Sequence, residues 1–158
     1  MSEPYEEILS GQKILRPSPG ARHELICSRL HNAVRASVGN FTSTKLLDRR
    51  SHVELSRDTI VAPDLALVVT ASGKLWLAAE VVGTEDHRVD TVTKKQIYEE
   101  MKLPRLWMVD PRYDNVEVYH ATAYGLVLKE ILAVREVLAE KSLPEFQMVI
   151  ADLFRTAD

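Results

Sequence analysis

Cysteine occurs once in the 158 residues, at Cys27. That excludes an intrachain disulfide, and on the same ground no cysteine-based zinc site is expected. Long apolar runs are missing too: nothing approaches the roughly 18 consecutive apolar residues of a membrane span. The opening MSEPYEEILSG is acidic and lacks the basic-then-apolar pattern of a secretory leader. Together these absences lead us to expect a reduced, cytoplasmic setting with no membrane and no disulfide partner. Positive charge is also in short supply. Lys and Arg number 20 against 23 Asp and Glu, a formal net charge of -3. Bulk charge therefore does not advertise a nucleic-acid partner, which leaves only a local basic patch to do so. No internal repeat or low-complexity linker breaks the chain.

What is present is an ordinary globular mixture, 46% hydrophobic and 27% charged. A chain of this length suits one domain, 1–158, able to bury roughly two-thirds of its surface. Tyr5 to Leu9 reads as a short helix stopped by Gly11, and KILRPSP as an extended segment broken by Pro17 and Pro19. Leu25, Ile26, Leu30, Ala33, Val34 and Val38 fall at helical spacing before Gly39. NFTSTKLL and SHVELS are candidate strands around the turn DRR. DLALVV and LWLAAEVV read as a hairpin about Ser72-Gly73. A helix is expected from Asp86 to Lys102, then strands RLWMVD and NVEVYHA. GLVLKEI and REVLAE are weaker strands, and EFQMVIADLF is a closing helix. This order predicts an α/β domain, a mixed β-sheet flanked by helices.

The stretch Val61 to Gly83, VAPDLALVVTASGKLWLAAEVVG, carries two carboxylates in segments that read as buried: Asp64 and Glu80. Burying a carboxylate costs several kcal/mol unless something compensates. Two acids converging at one end of a hairpin make a hard, oxygen-rich site suited to magnesium or manganese. On the following helix Asp90, Lys94 and Tyr98 repeat every four residues and share one stripe. Ile97 and Met101 lie on or beside that stripe and must face the sheet, so Lys94 is expected to point inward and Lys95 into water. Acid, acid and lysine on a strand–strand–helix unit can cleave a phosphodiester by metal-activated water.

At these residues the chain resembles the PD-(D/E)XK nuclease superfamily of restriction-endonuclease-like fold. More narrowly it resembles a bacterial family described as putative restriction endonucleases. The resemblance rests on Glu7 before Gly11, Ser18-Pro19 before His23, Pro63-Asp64-Leu65, Glu80-Val81, and Asp90, Lys94 and Tyr98. Trp107-Met108-Val109-Asp110-Pro111 and Leu143 to Phe146 extend it from about Tyr5 to Phe154. In the simplest superfamily pattern the lysine stands two residues after the second acid, and here that position is Val82. Lys94 fits the family habit of carrying it on the next helix. The usual Ser-Pro-Ser-Thr loop is replaced by Gly83-Thr84-Glu85-Asp86, which brings two negative charges near the site.

The resemblance implies a metal-dependent DNA endonuclease. Asp64 and Glu80 would ligate Mg2+ (or Mn2+), with the Val81 backbone carbonyl as a third ligand and Glu7 completing the acidic cluster. Lys94 would orient or activate the water. His23 would touch metal or phosphate, and Asp90 and Tyr98 would support Lys94. A homodimer is expected, since cutting both strands of DNA calls for two sites about a two-fold axis. The competing readings are a catalytically idle nucleic-acid-binding or interaction protein that keeps the fold, and a metal phosphohydrolase for small nucleotides.

Overall fold

The computed structural model describes residues 3–156. At its centre is a six-stranded mixed sheet. Its core strands are β6 (Leu65–Val69), β7 (Leu75–Val81), β8 (Arg105–Asp110) and β9 (Asn115–Thr122). The short β3 (Thr44–Leu46) and the long β10 (Gly125–Ala133) form the two edges. Only β7 and β8 are parallel within it; the other neighbours are antiparallel. A parallel pair needs a crossover of a dozen or more residues. The chain between Val81 and Arg105 supplies it as a π-helical turn (Val89–Lys94) running into α2 (Lys95–Glu100).

Period-2 alternation splits the strand side chains between two cores. Leu65, Leu67, Leu77, Ala79, Val81, Trp107 and Val109 pack on one face. They meet α1 (Ala21–Val38), α3 (Ile150–Phe154) and the two-stranded sheet of β11 (Val137–Glu140) and β12 (Leu143–Val149). Trp107 is fully buried, its ring stacked on Phe146 at 5.4 Å between centroids. Ala66, Ala78, Val82, Leu106 and Met108 turn to the other face, against Ile97, Tyr98 and Leu103. Glu80 has the same parity as Ala78 and Val82, so it too is directed at the crossover helix.

A second sheet, in the order β2-β1-β5-β4, closes that side. It consists of β1 (Tyr5–Leu9), β2 (Gln12–Arg16), β4 (Val53–Ser56) and β5 (Thr59–Val61). Tyr5 to Leu9 is thus a strand, not the expected helix. Its partner register, Leu9 with Gln12, leaves a two-residue turn, and both Ser10 (φ 52) and Gly11 (φ 82) are left-handed. That is the primed hairpin turn whose twist suits paired strands. Its alternation buries Glu7 and Leu9 and exposes Glu6.

Three other expectations change. The candidate closing helix is mostly β12, with only Ile150–Phe154 helical. The helix expected from Asp86 to Lys102 contains the π-helical turn and ends at Glu100. Lys102 then turns the chain at φ 58, and Met101 is 39% exposed rather than facing the sheet. β5 went unread because three residues carry no usable period. The weaker strands β10 and β11 are both formed, as are β3 and β4, although these last two join different sheets. Among the described residues no helix is long and apolar enough to cross a membrane.

Candidate active site

Asp64 immediately precedes β6, where Leu65 lies opposite Ala79 of β7. Continuing that antiparallel register by one step sets Asp64 across from Glu80. The Val81 N–H donates to Asp64 Oδ2 at 2.8 Å. The N–H and C=O of one strand residue leave toward the same neighbour, so the Val81 carbonyl is on the strand edge that Asp64 occupies. Asp64 Oδ1 accepts from His23 Nε2 at 3.1 Å and from Arg50 Nη1 at 2.9 Å. The Asp64 carbonyl meets His31 Nε2 at 2.7 Å. Burial pushes the Asp64 carboxyl up. The His23 hydrogen bond and charge, the Val81 N–H and the Lys94 charge outweigh it and hold the group well below its ordinary value.

Lys94 is completely buried, and its Nζ lies 2.7 Å from both Glu7 Oε2 and Glu80 Oε2. Burial opposes its charge, but the Glu80 and Glu7 carboxylates outweigh that and raise its pKa. Tyr98 donates its hydroxyl to Glu80 Oε2 at 2.5 Å. Burial pushes the Glu80 carboxyl above its ordinary value, the charges of Asp90, Asp64 and Glu7 add to this, and the Lys94 charge at 2.7 Å counters it. The sequence reading that put Lys94 on the inner stripe therefore agrees with the structure. Arg105 meets Glu140 instead of Glu80. Lys95 is half-buried, its Nζ 4.8 Å from the Tyr119 ring centre.

Tyr98 and Asp90 meet Lys94 through its partners and its field rather than by hydrogen bonds of their own. Tyr98 holds Glu80, while Asp90 accepts from Arg16 Nη2 at 2.9 Å and from the Gly83 N–H at 3.2 Å. Arg16, only 3% exposed, also reaches Glu7 Oε1 and Asp86 Oδ2, each at 2.6 Å. Arg16 thus ties the hairpin to the loop and to the π-helical turn. The altered loop Gly83-Thr84-Glu85-Asp86 is less acidic toward the site than its sequence suggests, because Arg16 takes the Asp86 charge. A Cβ at Gly83 would sit 2.2 Å from Asp86 Oδ1, so a larger residue there must displace the Asp86 carboxylate from its place beside Arg16. Sequence reasoning missed Arg16 and gave Arg50 no ion-pair partner. The partners of Arg16 lie 9, 70 and 74 residues away, beyond any local period.

A cavity of about 390 Å³ opens beside this cluster, lined among others by Tyr5, Arg16, His23, Gly83, Asp86 and Pro111. Five carboxylates (Glu7, Asp64, Glu80, Asp86, Asp90) here face three permanent cations (Arg16, Arg50, Lys94). The carboxyl oxygens are hard donors, the kind that divalent cations of the magnesium class take.

Two acids at the end of a hairpin, with a lysine returned by the crossover before a parallel strand, define the restriction-endonuclease-like class. The chain belongs to the Uma2 family, described as "Putative restriction endonuclease", whose profile matches residues 2–152. A crystal structure of "a putative nuclease belonging to DUF820" from Anabaena variabilis has the same fold. It superposes with a TM-score of 0.79 at 17% identity, covering 97% of this chain and 91% of that one. No curated protein matches.

Proposed function

We propose that this chain is a metal-dependent DNA endonuclease that hydrolyses phosphodiester bonds. The observation that carries the reading is Lys94, wholly buried yet charged, held at 2.7 Å by both Glu7 and Glu80 beside Asp64. A lysine so placed is costly as structure alone, because burial of an ion pair seldom repays its desolvation. Asp64, Glu80, the Val81 carbonyl and Glu7 would hold Mg2+ or Mn2+. When bound, the ion supplies Lewis acidity toward the phosphate and lowers the pKa of water. Lys94 keeps a fixed positive charge where negative charge develops in the transition state, without reorganisation at the moment of reaction. Tyr98 fixes the Glu80 carboxylate, and Arg16 fixes Glu7, so both acids keep their aim. His23 lines the cavity and touches Asp64, within reach of metal or phosphate. A two-fold dimer would put two such sites on the two strands of a duplex.

One observation favours the idle binding protein instead: Asp64 Oδ1 is already engaged by both His23 and Arg50. A single experiment separates the readings. Purified protein is incubated with plasmid, single-stranded DNA and RNA, in magnesium, manganese or chelator, beside Asp64→Asn and Lys94→Ala. Metal-dependent nicking of DNA that both variants lose is expected. Binding of DNA without cutting selects the idle protein. Equal cutting by wild type and variants refutes the assignment. Sedimentation of the active protein reports whether it is a dimer.

A further inference from the structure

Asp64 belongs to a second set of donors. His23 and Cys27 stand four residues apart on α1, which places both side chains on one helix face. A ring nitrogen of His23, the Cys27 sulfur and an Asp64 oxygen all lie within 4.8 Å of one another. Cys27 and Asp64 are buried, and the His23 side chain is 15% exposed at the cavity wall. Apart from the Asp64 oxygen, these are not the ligands of a magnesium-class ion. Imidazole and thiolate suit zinc, whose bonds of about 2.0–2.3 Å set neighbouring ligand atoms about 3.3–3.7 Å apart. The trio needs to close by roughly 1 Å to reach that spacing.

We propose that His23, Cys27 and Asp64 form a zinc site that shares Asp64 with the magnesium-class site and so inhibits the enzyme. Its inhibitory role rests on the nuclease reading; the binding site itself does not. Three donors leave one tetrahedral position for water, which the cavity can supply. The Cys27 S–H bond breaks as the sulfur–zinc bond forms, the proton leaves to solvent, and no electron is transferred. Arg50 must give up Asp64. It has a second anchor, since its Nη2 donates to Glu24 Oε1 at 2.6 Å, so it can withdraw without losing all its partners. His31 holds the Asp64 backbone in place from α1, which keeps the carboxylate within reach of both metal sets.

The test uses the full chain freed of metal and titrated with Cd2+, a zinc surrogate whose bond to a thiolate gives an ultraviolet charge-transfer band. One equivalent should develop the band, and Zn2+ should abolish it by competition. Cys27→Ser, checked for fold by circular dichroism, should lack it. His23→Ala, at a less buried position, should weaken binding by more than the roughly tenfold to hundredfold lost with a group merely hydrogen-bonded to a ligand. Glu80→Gln should keep the band. Zinc should suppress magnesium-dependent plasmid cleavage by wild type. It should spare Cys27→Ser, judged against that variant's own rate in magnesium alone. No thiolate band, equal zinc affinity in Cys27→Ser, or loss of the band in Glu80→Gln would overturn the site. Cleavage without the band leaves the nuclease reading standing and removes this one. A band without cleavage does the reverse for the nuclease, and ends the inhibitory role.

Discussion

Arg16 offers the sharpest stability prediction, because one buried guanidinium serves three carboxylates. Replacement by methionine keeps much of the volume and deletes every donor. The three acids do not lose equally. Asp86 is 20% exposed and can turn to water. Glu7 keeps Lys94 and the Ala62 N–H, the latter at 2.7 Å. Asp90, 2% exposed, keeps only the Gly83 N–H among its hydrogen bonds. Removing one partner of a buried ion pair costs about 3–5 kcal/mol, and with one acid able to rehydrate we expect about 3–4 for Arg16→Met. Arg16→Lys restores the charge but not the three-way fork, so about 1–2 kcal/mol should remain lost. Adding Asp90→Asn to Arg16→Met removes the worst stranded charge and should recover about 1–2 kcal/mol. Urea unfolding at pH 7 in chelator, followed by the fluorescence of Trp76 and Trp107, measures these four proteins and Asp90→Asn alone. Burial already raises the pKa of Asp90, and losing Arg16 raises it further. The penalty is therefore full at high pH and shrinks as pH falls through the Asp90 pKa. A loss below about 1 kcal/mol in Arg16→Met would refute the hub. So would a double variant in which the two single losses simply add.

Two further outcomes follow from the same geometry. Gly83→Ala drives a methyl into Asp86 Oδ1 and off-loads Asp86 from Arg16, so a loss of about 1–3 kcal/mol is expected. Thermal melts of this variant beside Asp86→Ala should show that removing the Asp86 side chain relieves most of it. His31 is kept below its ordinary pKa by burial. A depressed histidine binds protons less readily folded than unfolded, so its contribution is present above pH about 6.5 and declines below that. Melts from pH 7.5 to 5 in chelator should therefore show the gap between wild type and His31→Gln narrowing as pH falls. A gap that widens would mean that His31 is charged in the folded protein.

The legible and illegible parts of the site divide by how far each signal reaches along the chain. Asp64 and Glu80 stood out because each interrupts an apolar strand, and Lys94 because a four-residue step ties it to Asp90 and Tyr98. Each of those signals lies within one element. Glu7 was placed on a helix because YEEIL has no decisive period. Ser10-Gly11 was the available clue to a strand, since a Ser-Gly pair marks a turn and the favoured two-residue hairpin turns take such residues. The π-helical turn was unreadable, because such single-turn bulges are rare and carry no residue signature of their own. His23 and Cys27 stand four residues apart on α1, but Asp64 joins them only through the fold, so a lone cysteine gave no sequence signal of a zinc site.

The structure also bears on why a protein with net negative charge can house so acidic a site. Each carboxylate of the cluster has an internal cation or hydrogen-bond donor. Arg50 and His23 hold Asp64, Lys94 holds Glu80 and Glu7, and Arg16 holds Glu7, Asp86 and Asp90. On the proposed reading, loading a divalent ion would be an exchange of one counter-cation for another, not the filling of a bare anionic hole. Lys94 lies completely buried and its withdrawal would strand two acids, whereas Arg50 is 14% exposed and has Glu24 to retreat to. The exchange should therefore begin at Asp64. Arg50→Ala should bind the ion more tightly and fold less stably, the two effects sharing one cause.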